Sequence, residues 1–180
     1  MKRNKKINDI ALISIGSVLL ALFSIITIPA PVPFTLQLFG IALLLMTFGG
    51  KRGTASIIVY IALGACGVPI FSGFGAGITT LIGPTGGFLF GFVAMGLLYT
   101  FCEKRFGKSD RVIITSLAVG TLLCYILGTA AFMIWSGANC TFEAILNALS
   151  VCVFPCIIPD ALKIYLAHRI YKISLSKLKV

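Results

Sequence analysis

Charge is scarce in this sequence. Only 11% of its 180 residues are Asp, Glu, Lys or Arg, against roughly a quarter in soluble domains. Hydrophobic residues make up 58%, more apolar surface than a soluble chain of this length can hide from water. Acidic residues number five, and there is a single histidine, His168. That leaves too few partners for the six cysteines to form a metal centre at ligand spacing. Cys66, Cys102, Cys124, Cys140, Cys152 and Cys156 lie mostly within apolar runs. They are expected to act as small packed hydrophobes rather than a disulfide scaffold, the one-turn pair Cys152 and Cys156 included.

The basic residues present are confined. Fourteen of fifteen fall in four short segments: Lys2 to Lys6, Lys51-Arg52, Lys104 to Arg111 and Arg169 to Lys179. Long apolar stretches separate them, each near the ~20 residues that cross a bilayer core of ~30 Å. Basic residues stay on the cytoplasmic side of a membrane. The net charge of +10 is therefore a topological signal, and nucleic-acid binding is excluded. The loops at 29–34, 72–84 and 136–156 hold no Lys or Arg. An all-α integral membrane protein follows, a single membrane domain over 1–180. Its six transmembrane helices are predicted at about 7–28, 35–50, 54–71, 84–102, 111–135 and 157–171, with both termini cytoplasmic. The basic start and apolar run resemble a signal peptide, but Ile10 to Ile28 is long for that role, which predicts an uncleaved first span.

Prolines and glycines punctuate these spans. Pro29-Ala30-Pro31-Val32-Pro33 predicts a stiff, extended outer loop. Ser72 to Gly83 is apolar but glycine-rich and is expected to dip partly into the protein, where cavity or protein satisfies its amides. Ser136 to Val153 is mixed in polarity and suits a short surface helix.

Lys163 is the basic residue left over, and Asp160 precedes it by three positions. A charge at the bilayer centre costs roughly 2.5–3.5 kcal/mol on insertion scales. Stability alone seldom retains such a pair, since apolar residues pack as well. At ~1.5 Å rise per residue, Lys163 lies roughly 9 Å and Tyr125 roughly 15 Å below the outer surface. Gln37, Thr35 and the helix start Thr85-Gly86-Gly87 also sit at outer-facing ends, whereas the inner half has almost no polar groups. This predicts a pocket open to the outside rather than a pore. Gly73, Gly75, Gly77, Gly86 and Gly87 serve either close ligand approach or close helix packing. No Gly-Lys-Ser/Thr follows Gly86-Gly87 and no strand precedes it, so a phosphate loop is excluded there.

These residues resemble the BioY family, the biotin-binding S components of energy-coupling factor (ECF) transporters. The resemblance is strongest over Val32 to Phe92. It covers Val32-Pro33-Phe34-Thr35-Leu36-Gln37, then Lys51-Arg52-Gly53 with Tyr60, Gly64, Gly67 and Pro69. Gly83-Pro84-Thr85-Gly86-Gly87-Phe88 continues it and Pro159-Asp160 with Lys163 closes it. It implies a six-helix subunit that captures biotin at the plasma membrane. The subunit would work with a transmembrane coupling protein and two cytoplasmic ATPases that use the ATP, and would need no cofactor of its own. Asp160 matches the family aspartate near the ureido ring, with Lys163 its companion. Relatives carry an asparagine in the segment that here reads Ser72-Gly73-Phe74. The expected substrate-binding set is Asp160, Lys163, Tyr125, Gln37, Thr35, Thr85, Gly86 and Phe74. Chemically, an ionised Asp accepts ureido N–H groups, a Lys can neutralise the carboxylate tail, and Phe, Tyr and Leu walls take the ring. Which polar group meets which end of the ligand stays open.

Ser14, Ser17, Ala21 and Ser24 recur at three- and four-residue steps along the first span. Such a stripe lets another helix approach closely, and it resembles the face by which S components meet their coupling protein. It is the expected partner-docking face, with packing inside the chain as the alternative. Two other functions compete: a carrier for another small vitamin, and a membrane-embedded enzyme. An enzyme needs a nucleophile with a base, or metal ligands, at membrane depth. An isolated Asp–Lys pair and one distant His supply neither.

Overall fold

The computed structural model describes residues 2–28, 34–137 and 141–178. The proline loop 29–33 and Cys140 lie outside the described residues. Eight α-helices and one two-stranded ribbon make up the regular structure there: α1 Lys2–Ile25, β1 Thr27–Ile28, β2 Phe34–Thr35, α2 Gln37–Phe48, α3 Gly50–Ala65, α4 Ile78–Ile82, α5 Gly86–Phe106, α6 Asp110–Trp135, α7 Phe142–Cys152 and α8 Phe154–Leu178. Helix dominates because lipid offers backbone amides no partner, so each apolar segment must bond within itself.

By length and composition α1, α5 and α6 can each cross a membrane, and α7 with α8, bent by 40°, forms a fourth candidate. Helix α2 has only 12 residues, about 18 Å at the usual rise. It is shorter than the predicted 35–50 because Gly49, at φ 83°, turns the chain straight into α3. The glycine-rich stretch contains a single 3-10 turn, Ser72–Phe74, and the five-residue α4. The mixed segment after α6 does hold a short helix, α7, capped by Thr141, whose hydroxyl accepts from Ala144 N at 3.3 Å.

The basic segments converge at one end. Arg52 pairs with Asp9 at 2.6 Å, joining α3 to α1. Asp110 takes Lys172 at 2.5 Å and His168 at 3.4 Å, joining α6 to α8. Glu103 accepts from the Gly50 amide at 2.6 Å and pairs with Lys108 at 3.0 Å. The half nearest this end is less apolar than the sequence suggests. Thr54 and Thr100 hydroxyls meet at 3.0 Å, and Ser17 Oγ donates to the Ser56 carbonyl at 3.1 Å. All three hydroxyls also bond their own helix backbone, so they act as packing groups.

Two seams hold the bundle. Between α5 and α6, a Cβ on Gly87 would stand 2.4 Å from the Leu127 carbonyl, and one on Gly91 2.7 Å from Cys124 Cα. Backbones approach this closely only where small residues sit one turn apart, so Gly87 serves helix packing. The second seam runs along the stripe expected to dock a partner on α1. Ser17 and Ser24 are buried, and Ala21 packs against the core. The Tyr60 hydroxyl donates to Ser24 Oγ at 3.0 Å. Of the stripe only Ser14 is exposed. The small residues admit this protein's own α3, and α1 turns Ile15, Val18 and Leu22 outward instead.

Candidate functional site

The ends of α2, α5, α6 and α8 remote from the basic segments enclose a cavity. It holds about 110 Å³ of space open to the centre of a water-sized sphere. Its position follows from the chain's punctuation. The β1–β2 ribbon, with Thr27 opposite Thr35 and Ile28 opposite Phe34, sets Phe34 and Thr35 beside the first turn of α2. The bend between α7 and α8 puts Cys156, Asp160 and Lys163 on the wall. Cys156 and Asp160 are one turn apart, and Lys163 follows on the same face.

Asp160 and Lys163 are 8% and 6% exposed, so their charges are desolvated and must satisfy each other. Lys163 Nζ donates to Asp160 Oδ1 at 2.8 Å and to the Thr35 carbonyl at 2.7 Å. Its remaining side faces the Phe34 ring, 3.5 Å from the centroid, a favourable cation–π placement. Tyr125 donates its hydroxyl to Asp160 Oδ2 at 2.7 Å. An ammonium has three donors and a carboxylate about four acceptor positions. All three directions of Lys163 are therefore engaged, whereas Asp160 keeps acceptor capacity for two further N–H groups. The polar end of the cavity is electrically neutral and offers acceptors.

The other walls are mostly apolar. Phe71 and Leu38 line one side; Phe88, Leu89 and Phe92 of α5 line another, with Cys124 and Cys152 near Tyr125. Ser72, Thr80, Thr85 and Thr121 add hydroxyls. Aromatic and aliphatic walls around a few placed polar groups suit a small organic ligand with one polar head.

Six of the eight expected site residues, Asp160, Lys163, Tyr125, Gln37, Thr35 and Thr85, line this cavity. Phe74 and Gly86 do not. Phe74 is 64% exposed at φ 60°, because the turn at Ser72–Phe74 swings it outward and leaves Phe71 and Ser72 on the wall. Gly86 is buried under α4, where a Cβ would fall 1.8 Å from the Leu81 carbonyl. Lys163 stands 2.8 Å from Asp160, so the two charges share one end of the cavity. Sequence reading placed the cysteines in packing, yet Cys124, Cys152 and Cys156 line the cavity. The four-residue step from Cys156 to Asp160 was the signal for the last of these. Phe71 had no local signal, since its ring is fixed by Gly64, where a Cβ would stand 2.2 Å from it.

Residues 1–179 match the BioY family. The chain is 38% identical over 160 residues to the biotin transporter BioY of Thermotoga maritima, covering 86% of this chain and 88% of that one. It is 37% identical to the probable biotin transporter BioY of Pyrococcus horikoshii, covering 74% of each. The crystal structure of an S-component for biotin from an ECF-type ABC transporter superposes with a TM-score of 0.78 at 22% identity, over 96% of this chain and 95% of that one. That likeness is one of fold.

Proposed function

This chain belongs to the BioY family, and on that premise we propose that it is the biotin-capturing S component of an ECF-type uptake transporter in the plasma membrane. The observation that carries the reading is the neutral Asp160–Lys163–Tyr125 cluster at the head of an apolar cavity. Biotin presents two ureido N–H donors on an apolar bicycle, and Asp160 has acceptor positions for both. Lys163 and Tyr125 orient the carboxylate by donating to its two oxygens. The curated relatives carry transporter names, which supports a carrier over a membrane enzyme. Purified protein in detergent should bind biotin saturably at one site and return it chemically unchanged. Tighter binding of another vitamin in the same titration, or release of a converted product, overturns the assignment.

The remaining parts of the reading are six spans, both termini in the cytoplasm, and a coupling protein with two ATPases as partners. The confinement of basic residues supports the orientation: segments 29–34, 72–84 and 136–156 contain none. In cysteine-free protein, a single cysteine at Ser136 should react with a membrane-impermeant maleimide in intact cells, and one at Ser109 should not. Labelling at 109 from outside disproves the topology.

A further inference from the structure

Resting on the biotin reading, we infer that the site recognises only the neutral bicyclic head of its ligand and leaves the carboxylate unread, so that carboxyl-blocked biotins, amides and esters, are ligands too. It rests on a count of the cations that face the cavity. Among the described residues, Lys163 is the one basic side chain lining the cavity. The segments at that end of the chain, 29–34, 72–84 and 136–156, add no Lys or Arg, and their one charge is acidic, Glu143. Lys163 itself is not free. Two of its donors go to Asp160 Oδ1 and the Thr35 carbonyl, and the Phe34 ring covers its third side.

An anion brought to this cluster would also meet Asp160, which shares Lys163 at 2.8 Å, and like charges at such range repel strongly. A ureido group meets no such penalty, because its N–H donors fill the acceptor positions Asp160 keeps open. The tail is then left to walls that offer the Ser72, Thr80, Thr85 and Thr121 hydroxyls and the unpartnered Gln37 amide, but no countercharge. An unpaired carboxylate is expensive to bury, so it stays in water at the mouth. A group that stays hydrated in the complex contributes little to affinity, and capping it changes little.

The test is a titration of the purified full-length chain with three probes: biotin, biotin primary amide, and biotin methylated on a ureido nitrogen. Biotin amide should bind within about threefold of biotin, and the methylated ureido compound should lose at least about tenfold. A loss of tenfold or more with the amide, while biotin binds normally, shows that the carboxylate is read and overturns the inference alone. Retained affinity of the ureido-methylated compound overturns the placement of the head at Asp160. Failure of biotin itself removes the function on which the inference stands, and the inference with it.

Discussion

Asp160→Asn is expected to weaken biotin binding by at least tenfold, equal to about 1.4 kcal/mol. The Asn amide presents one acceptor oxygen where the carboxylate presents two, and that oxygen lacks the charge that shortens and strengthens N–H···O⁻ bonds. Its other half is a donor facing Lys163 or Tyr125, which donate to Asp160 at 2.8 and 2.7 Å. Lys163→Ala should be as damaging by a different route, because it strands a carboxylate that is only 8% exposed. Removing one member of a buried pair costs about 3–5 kcal/mol, enough to lower folded yield. The double variant Asp160→Asn/Lys163→Met separates the two effects. It removes both charges together, so thermal stability in detergent should recover while biotin binding does not. The proposed ligand role falls if folded Asp160→Asn and Lys163→Ala both bind biotin with near-native affinity in calorimetry.

Ser17→Trp should prevent accumulation of folded protein, and Ser14→Trp should not. Ser17 is 3% exposed, and its hydroxyl donates to the Ser56 carbonyl across the α1–α3 seam. Gly16 beside it would already bring a Cβ to 2.4 Å from Ser56 Oγ, so there is no slack for an indole. Overpacking of this kind costs at least about 1–3 kcal/mol, and here a buried hydrogen bond is lost as well. Ser14 is exposed on the same helix and controls for the Trp itself. Monodispersity on size exclusion and the thermal midpoint in detergent are the measurements. If Ser17→Trp stays folded and binds biotin but no longer co-purifies with a coupling protein, the stripe is a docking face after all.

These two expectations show where sequence and structure part. Asp160 and Lys163 were legible because a charge in an apolar run is rare and costly. Their expected depth rests on helical rise alone. Glycines gave no such signal. Gly87 and Gly86 open a helix in a way that suits close approach of a ligand, yet one abuts Leu127 and the other Leu81. Small residues satisfy both readings locally, and only the neighbouring helix distinguishes them. The α1 stripe is ambiguous in sequence for the same reason, since a face that admits a helix does not specify whose helix.

The sequence by itself determined the class of protein, the clustering of basic residues and the segment carrying the buried pair. Each depends on a single-residue transfer cost that is the same whatever the residue later touches. Only the tertiary structure decided that Lys163 is occupied by Asp160, Thr35 and Phe34, that Phe71 rather than Phe74 forms the wall, and that Ser17 and Ser24 face inward. Those outcomes depend on contacts between segments up to 128 positions apart, set by how the helices pack, and no local pattern encodes them.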